Sequence, residues 1–412
     1  MDPHPSTDGR ELHRALGALE TRLSKAIRDY GNDCAKRGYG DTQHRQRILA
    51  AAKAIVEEAT LPQERWLDQS TNFSEIVAVR LFMYWGVFDL IPLDGSISYE
   101  DLARKLDAEV LLVNRIAWVL VATGILDQIG EDRVTHTARS KIYLKDDPFG
   151  KLFIIMIDNG LVPFASLMKY FDSYGRNEPR AMRHNPWCFA AGEPEKTAWE
   201  IMGRDPERVR QFMEGMKVLE RFIPVTGEYD FTWVVERAKQ CPEDRILFVD
   251  IGGSRGHATA AICTENPGIP RRRCILQDLE EVLDEIRATG LEDLREIQLM
   301  PVDFHQEQPV KGALIYYIRH CLHDYSDDMS VNILKNIGDA MARDSKLLIV
   351  ENIMTNPPNP QSAWLDLLMM NVGGKERTRA LWDSVITRAG LKISGIFSGQ
   401  AGPHGTIECV KV

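Results

Sequence analysis

Two histidines three residues apart, His320 and His323, stand in the run Tyr317-Ile318-Arg319-His320-Cys321-Leu322-His323-Asp324-Tyr325-Ser326-Asp327. Imidazole moves protons near neutral pH, and a neighbouring carboxylate fixes which ring nitrogen carries the proton. Asp324 or another nearby carboxylate can orient His323 as such a base. Two more acids stand out. Glu351 ends the apolar run Leu347-Leu348-Ile349-Val350, and Glu376 lies in Asn371-Val372-Gly373-Gly374-Lys375-Glu376-Arg377-Thr378, a glycine turn before a helix. Helix-end electrostatics alone would also account for Glu376. The histidine pair does not read as a metal centre, because no third nitrogen or thiolate stands at ligand spacing. No G-x-S-x-G elbow supplies a serine nucleophile. Cys321 has apolar neighbours, which do not favour a thiolate.

A second group of residues has the form of a ligand cradle. Phe248-Val249-Asp250-Ile251-Gly252-Gly253-Ser254-Arg255-Gly256-His257 is an apolar run that ends in an acid, turns on paired glycines and enters a helix. Glycine backbone can approach a ligand closely, and a helix N-terminus offers unpaired N–H groups. The run at 273–278 ends in another acid, Asp278, where an adenosine ribose would place its hydroxyls. Asp250, Asp278, Asp303, Arg319 and Glu351 all fall at the ends of expected strands, where doubly wound sheets bind their ligands. Any one of them also reads as a loop residue; five at equivalent ends favour a site.

These residues need a sheet to hold them. From about residue 228 short apolar runs alternate with helix-like segments. The expected strands are 246–250, 273–277, 297–301, 313–318, 346–351, 391–397 and 405–411. The expected helices are 256–265, 279–288, 328–342, 361–371 and 379–389. This alternation predicts a doubly wound, mostly parallel α/β sheet of seven strands. The segment 398–404 leaves no room for a crossover helix, so the last strand is expected to be antiparallel.

The first half reads as mainly helical. Residues 1–20 read as a tail, and 31–44 as a break in a helical pattern. A long helix is expected at 73–89, capped by Asn72 or Ser74. Ser98 opens a short helix, a second spans 108–123, and 125–129 and 133–137 form a hairpin about Gly130. Two helices and a hairpin outline a winged helix, the second helix of which reads DNA in some proteins. Here Glu109 and Arg115 are the only charges on that helix, so packing or dimerisation fits better. The domain division is expected at 1–225 and 226–412.

Composition narrows the choices. The formal net charge of −10 argues against nucleic acid as a partner. The most apolar run, 152–164, is interrupted by Asp158 and Asn159 and is short for a membrane span. The N-terminus lacks an apolar signal core. Seven cysteines without a C-x-x-C pair suit reduced thiols in a cytoplasm.

In combination, D-x-G-G-x-x-G at 250–256, L-H-D-Y-S-D at 322–327, the acid ending the fifth strand and G-G-K-E-R-T at 373–378 resemble the plant and fungal small-molecule O-methyltransferases of the caffeate and flavonoid type. The resemblance is close over the C-terminal half and one of layout over the N-terminal half. It implies a Rossmann-like S-adenosylmethionine-binding domain behind a winged-helix-like dimerisation domain, working as a homodimer and without a metal. It places the cofactor on Asp250, Gly252, Gly253, Gly256 and Leu279, its ribose at Asp278, and its adenine by Asp303 and Phe304. Arg319 stands where the family often has lysine. His323 matches the catalytic base, Glu351 and Glu376 the acids that flank it, and Asn371 a residue facing the substrate. Ser254-Arg255 departs from the usual glycine-threonine, and residues 1–60 and 176–195 look fungal rather than plant. The implied reaction is methylation of a phenolic or enolic secondary metabolite. A pericyclic or dehydration reaction on the same cofactor-bound fold is the alternative; a non-catalytic cofactor-bound scaffold is another. The missing G-x-G-x-x-G counts against a dinucleotide dehydrogenase.

Overall fold

A computed structural model of the chain describes residues 9–37, 42–219, 225–290, 292–398 and 404–412. The chain folds as two compact units, Met1–Lys141 and Ile142–Val412.

The first unit is mainly helical. The helix Gly9–Arg37 occupies most of the expected tail and runs through part of the expected break; a second helix covers Thr42–Ala59. Residues 1–8 and 38–41 lie outside the described residues. The helix expected at 73–89 runs instead from Arg65 to Tyr84, and a short helix Val87–Leu90 follows. Gly86 separates the two with φ +67°, a left-handed conformation that suits glycine. Ser98 caps the helix Tyr99–Leu106 by accepting from the Asp101 N–H. The helix Val110–Ala122 lies in the chain between β1 (Ile97–Ser98) and β2 (Leu126–Ile129) of a small antiparallel sheet that β3 (Arg133–His136) completes, in the order β1-β3-β2. This helix is not buried all round. Val113, Ala117 and Leu120 face the unit's interior, whereas Leu111 is 71% and Trp118 50% exposed.

The second unit holds the large sheet. Its strands are β4 (Phe248–Ile251), β5 (Cys274–Asp278), β6 (Gln298–Pro301), β7 (Ile315–Arg319), β8 (Lys346–Met354), a two-residue β9 (Arg377–Thr378), β10 (Leu391–Ser398) and β11 (His404–Lys411). The order is β10-β11-β8-β7-β4-β5-β6, with β9 beside the end of β8. β4 to β8 pair in parallel, and β11 runs antiparallel between β8 and β10. The seven expected strands are all present, and the final pair has the expected direction; residues 399–403 between them lie outside the described residues. Strand alternation sorts the core into two layers. On one face Val249, Tyr316, Ile318, Leu347 and Ile349 pack with Ile333, Ile337 and Trp382. Phe248, Leu276, Tyr317 and Leu348 face the other way and pack with Val234, Ile262 and Leu283.

The helices between 142 and 219 fold with this sheet, rather than with the first unit as the sequence division had them. Asn185 Nδ2 donates to the Val372 carbonyl (3.1 Å), and the Trp187 backbone N–H donates to the Asn371 carbonyl (2.9 Å). Pro148–Met156 and Val162–Tyr174 join through a π-type turn, Ile157–Leu161, into a helical run of 27 residues with a mean hydropathy of 1.5 over its most apolar window. By length and composition it is long enough to cross a membrane, so the shorter run read from sequence understated it. The Lys151–Glu214 ion pair (2.5 Å) joins it to the helix Pro206–Leu219.

Candidate active site

The loop after β4 is shaped by what lies beneath it. Asp250 is 1% exposed, and its Oδ2 accepts from the Thr259 hydroxyl (2.5 Å) on the helix His257–Glu265. Burial pushes the Asp250 carboxyl up to about 6. A side chain at Gly253 would collide with Leu276 Cδ1 and Asp250 Cγ, so the backbone lies directly on these two residues. Asp250 therefore supports the loop from below. Ser254, the departure from the family pattern, adopts φ +50°, and its N–H donates to Asp278 Oδ2 (2.7 Å). The other Asp278 oxygen accepts from the Leu279 N–H (2.8 Å). Asp278 thus ties the glycine loop to the end of β5, and burial raises its pKa.

Phe304 completes this side. Its ring lies 3.1 Å from where a Gly252 side chain would start, and it meets Tyr325 edge-on. Asp303 is exposed and accepts from the His305 N–H (2.9 Å). Leu279 is 52% exposed. Arg319 ends β7 close enough to Asp250 to act on its charge.

The second group of predicted residues assembles one strand away. After β7 the chain turns at His320, whose φ of +49° is strained for a non-glycine residue. The short turn Leu322–Asp324 follows and carries His323. Glu351, fully buried on β8, accepts through Oε1 from the Cys321 (3.1 Å) and Leu322 (2.9 Å) N–H groups. It fixes the backbone immediately before His323. Its Oε2 lies 3.7 Å from His323 Nδ1. Glu376 Oε1 holds the same Nδ1 at 2.8 Å. That contact assigns a proton to Nδ1 and leaves Nε2 as the basic atom of the neutral ring. Asp324 Oδ1 stands 3.7 Å from Nε2.

Burial alone would lower the His323 pKa, but Glu351, Asp324 and Glu376 outweigh it and raise it to about 10. Burial lifts Glu351 to about 7 against the favourable charge of His323. The three carboxylates therefore favour the imidazolium form of the ring. Cys321 joins the two groups: its Sγ sits 3.7 Å from the Gly252 carbonyl oxygen, and burial raises the thiol pKa well above the ordinary value.

Two features here escaped sequence reasoning. Arg377, wholly buried, donates to the Leu322 (2.9 Å) and Tyr325 (2.8 Å) carbonyls and to Asp327 Oδ1 (2.9 Å), clamping both ends of the His323 turn. It lay within the quoted G-G-K-E-R-T motif, but an arginine there reads as surface charge. Gly374 presses on the same turn: a side chain there would collide with the His323 carbonyl oxygen. Asn371 is buried at the end of the helix Pro360–Met370, and neither polar atom of its amide has a hydrogen bond. It is not in hydrogen-bond contact with His323. The metal reading also changes: Glu351 supplies in space the third group that local spacing lacked.

A methyltransferase-type sheet, a glycine cradle and a carboxylate-held histidine define the class, and the family comparison agrees. Residues 174–392 match the O-methyltransferase domain family, and 69–146 match the O-methyltransferase dimerisation domain. The chain belongs to this S-adenosylmethionine-dependent methyltransferase family. The methyltransferase cfoD of Aspergillus candidus is 36% identical over 400 residues, covering 95% of this chain and 98% of that one. The crystal structure of OxaC in complex with sinefungin and meleagrin matches with a TM-score of 0.81 at 25% identity, over 97% of this chain and 99% of that one. A structure described as a pericyclic reaction enzyme shares the fold, with a TM-score of 0.76 at 21% identity over 97% of this chain and all of that one.

Proposed function

We propose that the chain transfers the methyl group of S-adenosylmethionine to the oxygen of a phenolic or enolic secondary metabolite, with His323 Nε2 as the base. The observation that carries this is the 2.8 Å contact between Glu376 and His323 Nδ1, which puts the proton of the neutral ring on Nδ1 and leaves Nε2 as its basic atom. The loop 252–256 and Asp278 would hold the cofactor, with Phe304 beside its adenine. The sulfonium brings a positive charge that opposes the resting imidazolium and favours the neutral ring. Nε2 then takes the acceptor's proton while the oxygen attacks the methyl carbon. The O–C bond forms as the C–S bond breaks, and S-adenosylhomocysteine leaves. A phenol of pKa about 10 attacks poorly without such help, and a positioned base is worth about 10²–10⁴ in rate. Glu351 and Glu376 stabilise the imidazolium formed.

The dimerisation domain and the exposed apolar face of Val110–Ala122 support a homodimer, and the seven free thiols suit a cytoplasmic setting. Release of S-adenosylhomocysteine with a panel of phenols and enols tests the reading, beside the variant His323→Gln. Turnover should fall at least about 100-fold with cofactor affinity kept. Unchanged turnover in the variant rejects the base. An acceptor rearranged or dehydrated with no S-adenosylhomocysteine released moves the assignment to the pericyclic alternative.

A further inference from the structure

Around the base lies a set of donor atoms of which the methyl-transfer reading leaves one residue, His320, without a role. His320 Nδ1 is 3.9 Å and His323 Nδ1 3.7 Å from Glu351 Oε2. One ligand atom from each of these three residues falls within 4.8 Å of the others, the one such cluster among the described residues. Glu376 Oε1, 2.8 Å from His323 Nδ1, stands at the edge of this cluster rather than within it. Glu351 Oε2 and His320 Nε2 are buried without a hydrogen-bond partner, and Glu351 is wholly buried. A buried carboxylate oxygen left unpaired calls for a cation or a donor. His320 is brought here by a strained left-handed backbone, with its N–H fixed to the Val350 carbonyl (3.1 Å). Such strain persists where the surroundings impose it, often at sites of function.

We propose that His320, His323, Glu351 and Glu376 form a binding site for a zinc-like divalent cation, and that occupancy switches the base off. Four ligands about 2.0–2.2 Å from zinc stand roughly 3.4 Å apart in a tetrahedron. To reach that, the separations of 3.7 Å (Glu351 to His323) and 3.9 Å (Glu351 to His320) shorten and the 2.8 Å between Glu376 and His323 lengthens, so His320 and both carboxylates shift slightly. Two imidazole nitrogens and two carboxylate oxygens suit zinc or copper(II). Magnesium and calcium prefer all-oxygen shells. The cation takes the place of the proton on His323 Nδ1, which is released to solvent. The ring keeps its other proton on Nε2, the atom that must be bare to accept one from the substrate. A chelator reverses the block. The inhibitory consequence rests on the methyl-transfer reading; the binding does not.

Cobalt(II), which reports a four-coordinate site by intense visible absorption, is the direct probe. Titrated into the purified protein freed of cofactor, it should give these bands at one equivalent, and zinc should bleach them. The variant His320→Asn keeps a residue that tolerates φ above zero; it should lose the bands. His320→Gly, which relieves the strain altogether, serves as a second variant. Both should methylate at close to the native rate in chelator and need at least about tenfold more zinc for half-inhibition. Native protein without cobalt bands overturns the site whatever the acceptor proves to be. Variants as zinc-sensitive as the native enzyme overturn it too. Cobalt bands with no methyl transfer on any acceptor uphold the site and count against the proposed reaction instead.

Discussion

Replacing Glu376 by Gln removes a charge from His323 and little else. The Gln oxygen can still accept from Nδ1, so the tautomer and the ring position should survive. The native ring, raised to about 10 from an ordinary 6.5, has its imidazolium stabilised by roughly 5 kcal/mol. Three carboxylates supply this against the cost of burial, and Glu376 makes the closest contact, at 2.8 Å, against 3.7 Å for Glu351 and Asp324. An opposite charge at such range typically moves a pKa by about 1–3 units. The His323 titration should therefore fall by about 1–3 pH units in Glu376→Gln. The assay is NMR of the labelled imidazole carbons in cofactor-free protein. The chain has ten histidines, so the signal is assigned by its absence in His323→Gln. Methyl-transfer rates against pH then follow the same group during turnover. Their rising limb should shift to lower pH, while the plateau drops, because the weaker base stabilises the transferred proton less. A ring that titrates at the native pH in the variant would show that Glu376 is a packing partner, and the reasoning from charge would fail.

Three further outcomes are expected. A pKa raised on folding stabilises the protein fully below the unfolded value near 6.5 and loses that contribution as pH rises through about 10. Native protein should accordingly lose stability relative to His323→Gln between these limits, measured by urea unfolding across pH; parallel curves would refute it. Gly374→Ala should lower turnover sharply and leave cofactor affinity unchanged, because the new methyl collides with the His323 carbonyl, far from the glycine cradle by sequence. Asp278→Asn removes the charge from two hydrogen bonds that shape the cradle, each worth about 1.5–3 kcal/mol, so titration calorimetry should find S-adenosylmethionine bound roughly 10–100-fold more weakly.

The sheet was legible because its strands are short apolar runs set apart by helices, and a period of two against one of 3.6 survives in sequence. The acids at strand ends followed from that phase in part: Asp278 does end β5, whereas β8 runs on to Met354 and Glu351 lies within it. The contacts joining distant turns were not legible. No local pattern tells that Arg377 is buried under the His323 turn, or that Thr259 anchors Asp250. The helix expected at 73–89 went astray for a related reason, since the helix propensity of 65–72 is carried by polar residues without an apolar stripe. His320 shows the limit most plainly. Its neighbour in space, Glu351, lies a whole helix and strand further along the chain, and ligand spacing alone could not pair them.

The place of β11 has a consequence for how the protein is made. It lies between β8 and β10, and Gly405 pairs directly with Glu351. Until residues 404–411 have been synthesised, the strand bearing Glu351 has an open edge and no partner on that side. β8 gains its second neighbour only when that segment folds onto it. A chain cut before His404 would therefore leave the strand that bears Glu351 with an unpaired edge.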